Sequence, residues 1–199
     1  MFVSKRGSDD AKFSYTMYWG LIIIVIALLI WVVYAYNRLV KNRNRMQEAW
    51  SIIDVFLKKR YEIIPLLVNT VKGYAIHEQR LLEEVTRLRV EAMNASGTQD
   101  KVISENQLGK AADRLFLNIE NYPELKADKH FLMLQHQLSD LENDLEKARR
   151  YYNGTVRENN IYQESVPSNL IASLFRFSKG VFFTTNEKEK DVTQVEFNK

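Results

Sequence analysis

Cysteine is absent from this chain of 199 residues, and histidine occurs only three times. The chain therefore has no disulfide, no thiolate metal site and no cysteine nucleophile. His77, His130 and His136 lack the His-Glu-x-x-His and Glu-x-x-His spacings of zinc proteases and di-iron bundles. Neither a Gly-x-Ser-x-Gly string nor a glycine-rich phosphate loop occurs. We expect no catalysis, no cofactor and no metal site.

Charge is low overall but unevenly placed. The formal net charge is +3, so the chain as a whole is not a polyanion binder. A short basic stretch is predicted to contact the membrane surface and its anionic lipids, and it consists of Arg38, Lys41, Arg43 and Arg45. No nucleic-acid-reading motif accompanies this stretch, so we expect no nucleic-acid partner.

The longest feature is an uncharged stretch from Phe13 to Asn37, whose centre is aliphatic from Leu21 to Ile30. A helix rises about 1.5 Å per residue, so roughly twenty apolar residues cross the bilayer core. The stretch is too long for a cleaved signal peptide and lacks a small-residue cleavage site. It is apolar on every face, which excludes a core helix in so small a protein. We predict a membrane-spanning anchor over residues 15–36.

The basic residues that follow the anchor predict its orientation, because positive charge favours the cytoplasmic side. We expect a single-pass protein of the inner (cytoplasmic) membrane. Its main domain lies in the cytoplasm and its N-terminus lies outside.

Beyond the anchor, apolar residues recur three or four apart almost everywhere, and no stretch alternates with period two. We predict an all-α fold, in which the transmembrane helix is followed by an antiparallel bundle of about four long helices. Ser104 and Gln107 form a capping box that predicts the start of the third helix. Lys58 and Arg60 belong to a charged set on the first helix that we expect to be solvated.

The predicted segments are a flank (1–14), the anchor (15–36), the bundle (37–166), an aromatic amphipathic segment (167–185) and a mobile charged tail (186–199). The fourth bundle helix carries the clearest heptad pattern. Its apolar positions are Phe131, Leu134, Leu138, Leu141, Leu145, Ala148 and Tyr152. The same seam continues through Thr155, Asn159 and Tyr162, so its far end is either wetter or paired across an interface.

Large apolar residues crowd residues 169–183, where only Arg176 and Lys179 are charged. Each exposed one forgoes about 1.5–3 kcal/mol of burial. They pack on the bundle, enter the membrane interface or bind another subunit. The residues predicted for interaction are Leu174, Phe175, Phe177, Phe182, Phe183, Tyr152, Asn159 and Tyr162.

Several short strings occur in the order typical of one family. They are YNRLV (36–40), EAWSIIDV (48–55), KRYEIIPLLV (59–68), VKGYA (71–75), HE (77–78), YPELKA (122–127), RYYN (150–153), VPSNLIA (166–172) and FF (182–183). Through this ordered set the chain resembles the LemA family. Val55-Phe56 and Val166-Pro167 stand where Val-Gln and Phe-Pro are expected.

The resemblance implies an N-terminal anchor, an antiparallel helical bundle and a bacterial envelope protein, and it implies no reaction. We therefore predict a non-enzymatic scaffold that self-associates as a homo-oligomer. Two alternatives stay open: a membrane-shaping module that inserts its aromatic segment in lipid, and an adaptor for a membrane protease or transporter.

Overall fold

The computed structural model describes residues 6–184, and every regular element in that range is a helix. The helices are α1 (Arg6–Lys72), α2 (Gln79–Asn94), α3 (Thr98–Ile119), α4 (Pro123–Ala127), α5 (Lys129–Glu164) and α6 (Ser168–Leu174), with a 3-10 turn at Ile76–Glu78. The predicted all-α fold is confirmed. The predicted tail at 186–199 lies outside the described residues, and the other predicted domain boundaries stay a prediction.

The start of α3 differs from the prediction. Gly97 adopts a φ of 85°, a conformation that glycine reaches without strain, and α3 begins immediately after it. Ser104 already lies inside this helix, where its Oγ donates to the carbonyl oxygen of Asp100 at 2.8 Å. The predicted capping box at Ser104 is therefore wrong, because the glycine sets the helix start six residues earlier.

The described residues group into two compact units. The first unit contains residues 6–45 and 158–179, and the second unit contains residues 46–157 and 180–184. Helices α1 and α5 each contribute residues to both units.

In the second unit, α1 and α5 run antiparallel. The ring centroids of Trp50 and Tyr152 lie 5.1 Å apart. Just after α1 ends, the Tyr74 hydroxyl donates to Asp128 Oδ2 at 3.0 Å, and Asp128 directly precedes α5. Within this unit, the first part of α1 thus contacts the last part of α5, and the end of α1 lies beside the start of α5.

Helices α2 and α3 form an antiparallel hairpin in the same unit. Near their connection, Lys101 Nζ donates to the carbonyl oxygen of Ala92 at 2.8 Å. Farther away, Arg114 and Glu84 form an ion pair at 2.6 Å. Each contact therefore joins a residue of α2 to a residue of α3, one near the connection and one farther along both helices, as expected for antiparallel neighbours in a bundle.

The predicted heptad seam of α5 is confirmed as a core face. All seven apolar positions are buried: Phe131, Leu134, Leu138, Leu141, Leu145, Ala148 and Tyr152. They join apolar residues of α1, α2 and α3 in one cluster. Burying each large side chain contributes about 1.5–3 kcal/mol, so this seam is a main source of the unit's stability.

Arg60 corrects the expectation of a solvated charged set. Its side chain is only 4% exposed and forms an ion pair with Glu105 of α3 at 3.3 Å. A buried guanidinium needs such a partner, because an unpaired buried charge is costly. The partner lies 45 residues further along the chain, beyond the reach of helical periodicity.

Candidate functional site

The most unusual surface of the first unit is the beginning of α1. Every residue from Leu21 to Ile30 is exposed, although the stretch is aliphatic. Within Met17–Lys72, one 18-residue window is apolar enough to cross a membrane, and none of it is buried. It is the one candidate span in the part of the chain that the structure describes. No described residue of the first unit covers these side chains. Such exposure is expected of a helix that is surrounded by an apolar solvent.

The end of this apolar stretch packs against α6. Ala35 and Leu39 are fully buried against Ile171 and Ala172, and half-buried residues surround this small cluster. The half-buried residues are Trp31, Val32, Tyr162 and Phe177. Alanines at two of the four central positions allow the helices to approach closely. The packing fixes α6 beside the end of the apolar stretch.

Aromatic contacts hold the segment after α6 in the same unit. The Tyr36 ring lies 4.8 Å from the Phe175 ring and 5.8 Å from the Phe177 ring, both in edge-on geometry. Such pairs contribute about 0.5–1.5 kcal/mol beyond their buried area. The Arg43 guanidinium lies 5.6 Å from the centroid of Phe177. A predicted membrane-surface residue and a predicted interaction residue thus contact one another.

The opposite face of α6 is apolar and exposed. Leu170 and Leu174, one turn apart, are 66% and 72% exposed, and the following Phe175 is 49% exposed. No residue of α6 carries a charge. A helix with apolar residues on both faces and no charge is adapted to contact a second apolar surface.

A groove of about 780 Å³ lies in the same unit. Three of the four predicted membrane-surface residues line it: Arg38, Lys41 and Arg45. The Arg38 guanidinium lies 4.8 Å from the centroid of the Tyr162 ring. Burial raises the pKa of the Tyr162 hydroxyl, and the positive charge of Arg38 opposes this shift. Three cations and one anion, Glu158, line the groove, so its charge is net positive and suits an anionic headgroup.

The structure places the remaining predicted interaction residues in different surroundings. Tyr152 and Phe183 are buried in the core of the second unit, where the Trp50 ring lies 6.0 Å from Phe183. Asn159 is buried in the first unit, and its Oδ1 has no hydrogen-bond partner among the described residues. Phe182 is exposed.

The candidate surface of α6 therefore consists of Leu170, Leu174 and Phe175. Leu170 was not among the predicted interaction residues. Its spacing of four residues from Leu174 is the sequence signal that identifies it.

These features define a class: an all-helical protein with one exposed helix apolar enough to cross a membrane and a helical bundle beyond it. The model of the LemA family matches residues 49–197, most of the chain. The protein LemA of Metamycoplasma hominis is 24% identical over 155 residues, which cover 77% of this chain and 71% of the relative. The chain belongs to the LemA family.

Proposed function

We propose that this protein is a single-pass membrane protein whose helical region acts as a non-enzymatic interaction scaffold of the bacterial envelope. One observation carries the proposal: the aliphatic stretch Leu21–Ile30 is exposed along its whole length. In water each such residue forgoes about 1.5–3 kcal/mol, whereas a bilayer accommodates all of them.

We propose that the protein is located in the inner membrane, with its bundle in the cytoplasm and its N-terminus outside. The exposed basic residues Arg38, Lys41, Arg43 and Arg45 support this orientation. Because the chain has no cysteine, single cysteines report their side of the membrane without background. Ser4→Cys should react with an impermeant maleimide in intact cells, and Lys147→Cys should react only after lysis. The opposite pattern would reverse the orientation.

The scaffold function is proposed to include self-association through the exposed face of α6. Leu170, Leu174 and Phe175 offer an uncharged apolar surface next to residues that are already packed on α1. A second copy of this chain provides a matching apolar surface, and a two-fold axis would bury both.

The native mass of the full-length protein in mild detergent tests self-association. We expect a defined homo-oligomer that becomes a monomer when Leu170, Leu174 and Phe175 are all replaced by serine. A matched control replaces Ile103 and Leu117, which are exposed on α3, by serine and should leave the oligomer intact. A monomeric parent would overturn self-association, and a second protein at fixed ratio would favour an adaptor.

A second candidate is that the same face inserts in lipid. It is favoured by the contact of Tyr36 with Phe175, because Tyr36 ends the apolar stretch and tyrosine prefers the headgroup level. A bimane dye on Leu174→Cys should then be quenched by spin-labelled lipids in proteoliposomes, and a dye on Leu117→Cys should not. Equal quenching at the two positions would contradict insertion.

A further inference from the structure

A charged pocket of about 470 Å³ lies in the second unit, between α1, α3 and α5. Its charged lining residues are Arg60, Glu105, Lys110, Asp113, Glu142 and Arg149. Three are cations and three are anions, so the pocket is defined by how these groups pair rather than by net charge. None of its lining residues belongs to α6 or to the basic stretch at residues 38–45.

Both carboxylate oxygens of Glu105 already have partners within the protein. Its Oε2 lies 3.3 Å from Arg60 Nη1, and its Oε1 accepts a hydrogen bond from the Tyr61 hydroxyl. Arg89 Nε donates to the Tyr61 carbonyl oxygen at 2.6 Å and holds this part of α1 from the other side. Glu105 therefore positions Arg60 and offers nothing to a ligand.

Three other buried atoms in the pocket lack hydrogen-bond partners among the described residues. They are Arg60 Nε, Glu142 Oε1 and Arg149 Nε. Arg60 Nε and Glu142 Oε1 form an ion pair at 2.9 Å, but they are not aligned as a hydrogen bond. The pocket thus presents two unsatisfied donors and one unsatisfied acceptor, and buried polar groups in folded proteins are normally satisfied.

Arg149 is the second largely buried cation of the pocket. Within residues 6–184 it forms no ion pair, and its guanidinium lies 4.4 Å from the centroid of the Phe183 ring. Burial lowers the pKa of Arg149, the charges of Glu142 and Glu105 oppose this shift, and the nearby charge of Arg60 adds to it. An anion between the two arginines would relieve the effects of burial and of Arg60.

We propose that this pocket binds a small oxyanion that also carries an O–H donor, of which hydrogen phosphate is the simplest. Its unprotonated oxygens accept from Arg60 Nε and Arg149 Nε, and its O–H donates to Glu142 Oε1. Arginine suits this function because its planar donors are fixed in direction. Sulfate has the same shape but no proton at neutral pH, so it directs a bare oxygen at the Glu142 carboxylate.

Calorimetric titration of the full-length protein in detergent, in phosphate-free buffer at neutral pH, tests the proposal with sodium phosphate and sodium sulfate. We expect saturable phosphate binding and weaker sulfate binding. Arg149→Met should weaken phosphate binding by at least about tenfold, since it removes a charge-assisted hydrogen bond. The matched control is Arg150→Met, because the neighbouring Arg150 is exposed and pairs with Glu146 on the surface.

Glu142→Gln provides a test of opposite sign. The amide keeps the shape of the side chain, removes the negative charge and adds a donor. Sulfate should therefore bind this variant more tightly than it binds the parent, and the preference for phosphate should shrink. This ratio decides the proposal even if Arg149→Met fails to fold, which circular dichroism would reveal.

Any of four results would overturn the proposal: no saturable phosphate binding, equal losses in Arg149→Met and Arg150→Met, sulfate bound as tightly as phosphate, or an unchanged preference in Glu142→Gln. Dimethyl phosphate, a soluble phosphodiester without any O–H group, separates the phosphodiester of a lipid headgroup from a free anion. Its phosphate carries no proton, so we expect weak binding. Binding as tight as that of phosphate would overturn the assignment to a protonated anion and indicate a headgroup.

Discussion

The two units of this protein distribute apolar and charged residues in opposite ways. The second unit buries most of its leucines and also buries the ion pair of Arg60 and Glu105. The first unit keeps its basic residues exposed and leaves most of its large apolar side chains uncovered. Both units are helical, so secondary structure does not explain the contrast. The difference indicates that the two units are adapted to different solvents.

The largest expected effect concerns the buried charge of the second unit. Glu105→Leu leaves Arg60 with only the partly exposed Glu142 as a partner, so we expect a loss of about 3–5 kcal/mol in the free energy of unfolding. Urea unfolding in detergent, followed by circular dichroism, measures it. Lys147→Met breaks an exposed pair with Asp144 and should cost no more than about 1 kcal/mol. Equal losses of unfolding free energy in Glu105→Leu and Lys147→Met would show that the buried pair is no more important for stability than the exposed one.

Two leucine substitutions compare the units directly. Leu145→Ala removes a fully buried side chain of the second unit and should lower the free energy of unfolding by about 2–5 kcal/mol. Leu174→Ala removes a side chain of the first unit that is exposed in the single chain, and should change it by less than about 0.5 kcal/mol in a detergent that keeps the protein monomeric. The same denaturation assay serves both. A large loss at Leu174 would show that α6 has a covered outer face.

A smaller loss of stability is expected from the hydrogen bonds that hold Phe183, near the end of the described residues, in the second unit. Asn153 donates from Nδ2 to the Phe183 carbonyl oxygen, and its Oδ1 accepts from the Phe183 amide, both at 2.8 Å. Asn153→Ala leaves these backbone groups unpaired and should cost about 1–3 kcal/mol. Amide exchange at Phe183 should rise in parallel. Gln137→Ala, at an exposed position on the same helix, is the control and should leave that exchange unchanged.

The smallest effect is a pH dependence at the start of α5. Asp128 accepts hydrogen bonds from the Phe131 amide, the Tyr74 hydroxyl and the His130 amide, which lower its pKa below the ordinary value of 3.8. The folded state therefore binds this proton less readily than the unfolded chain. The stabilisation by Asp128 is complete above the unfolded pKa and is lost as pH falls through the folded pKa.

Comparison with Asp128→Ala isolates this contribution. The stability difference between parent and variant should be constant near neutral pH and shrink in acid below the ordinary pKa of the carboxyl group. Thermal unfolding at a series of pH values measures it. A difference that persists unchanged into strong acid would show that the carboxylate charge is not involved.

Periodicity predicted the parts of this fold that depend on one helix face. The α5 seam from Phe131 to Tyr152 is buried at every predicted position, because spacings of three and four place those residues on one side. The aliphatic stretch was equally clear, because length and composition alone distinguish it.

Other features depend on contacts that no local pattern contains. Arg60 was expected in solvent because its sequence neighbours are charged, whereas Glu105 reaches it from another helix. The pocket escaped prediction for the same reason, since Arg60 of α1 meets Glu142 and Arg149 of α5 only in the folded protein. On α6, the composition indicated an apolar surface, but only packing distinguished the buried Ile171 from the exposed Leu170.

The second unit is discontinuous in the chain, since Phe183 completes a core whose other members lie between residues 49 and 156. During synthesis, the ribosome must therefore add Phe183 before this core can close. Until then the Phe183 site beside Trp50 and Tyr152 stays open. Closing such a long-range contact comes late in folding because its loop entropy must be overcome first. The core of a nascent chain thus stays incomplete until Phe183 has been added. Chaperones can bind the chain during this interval.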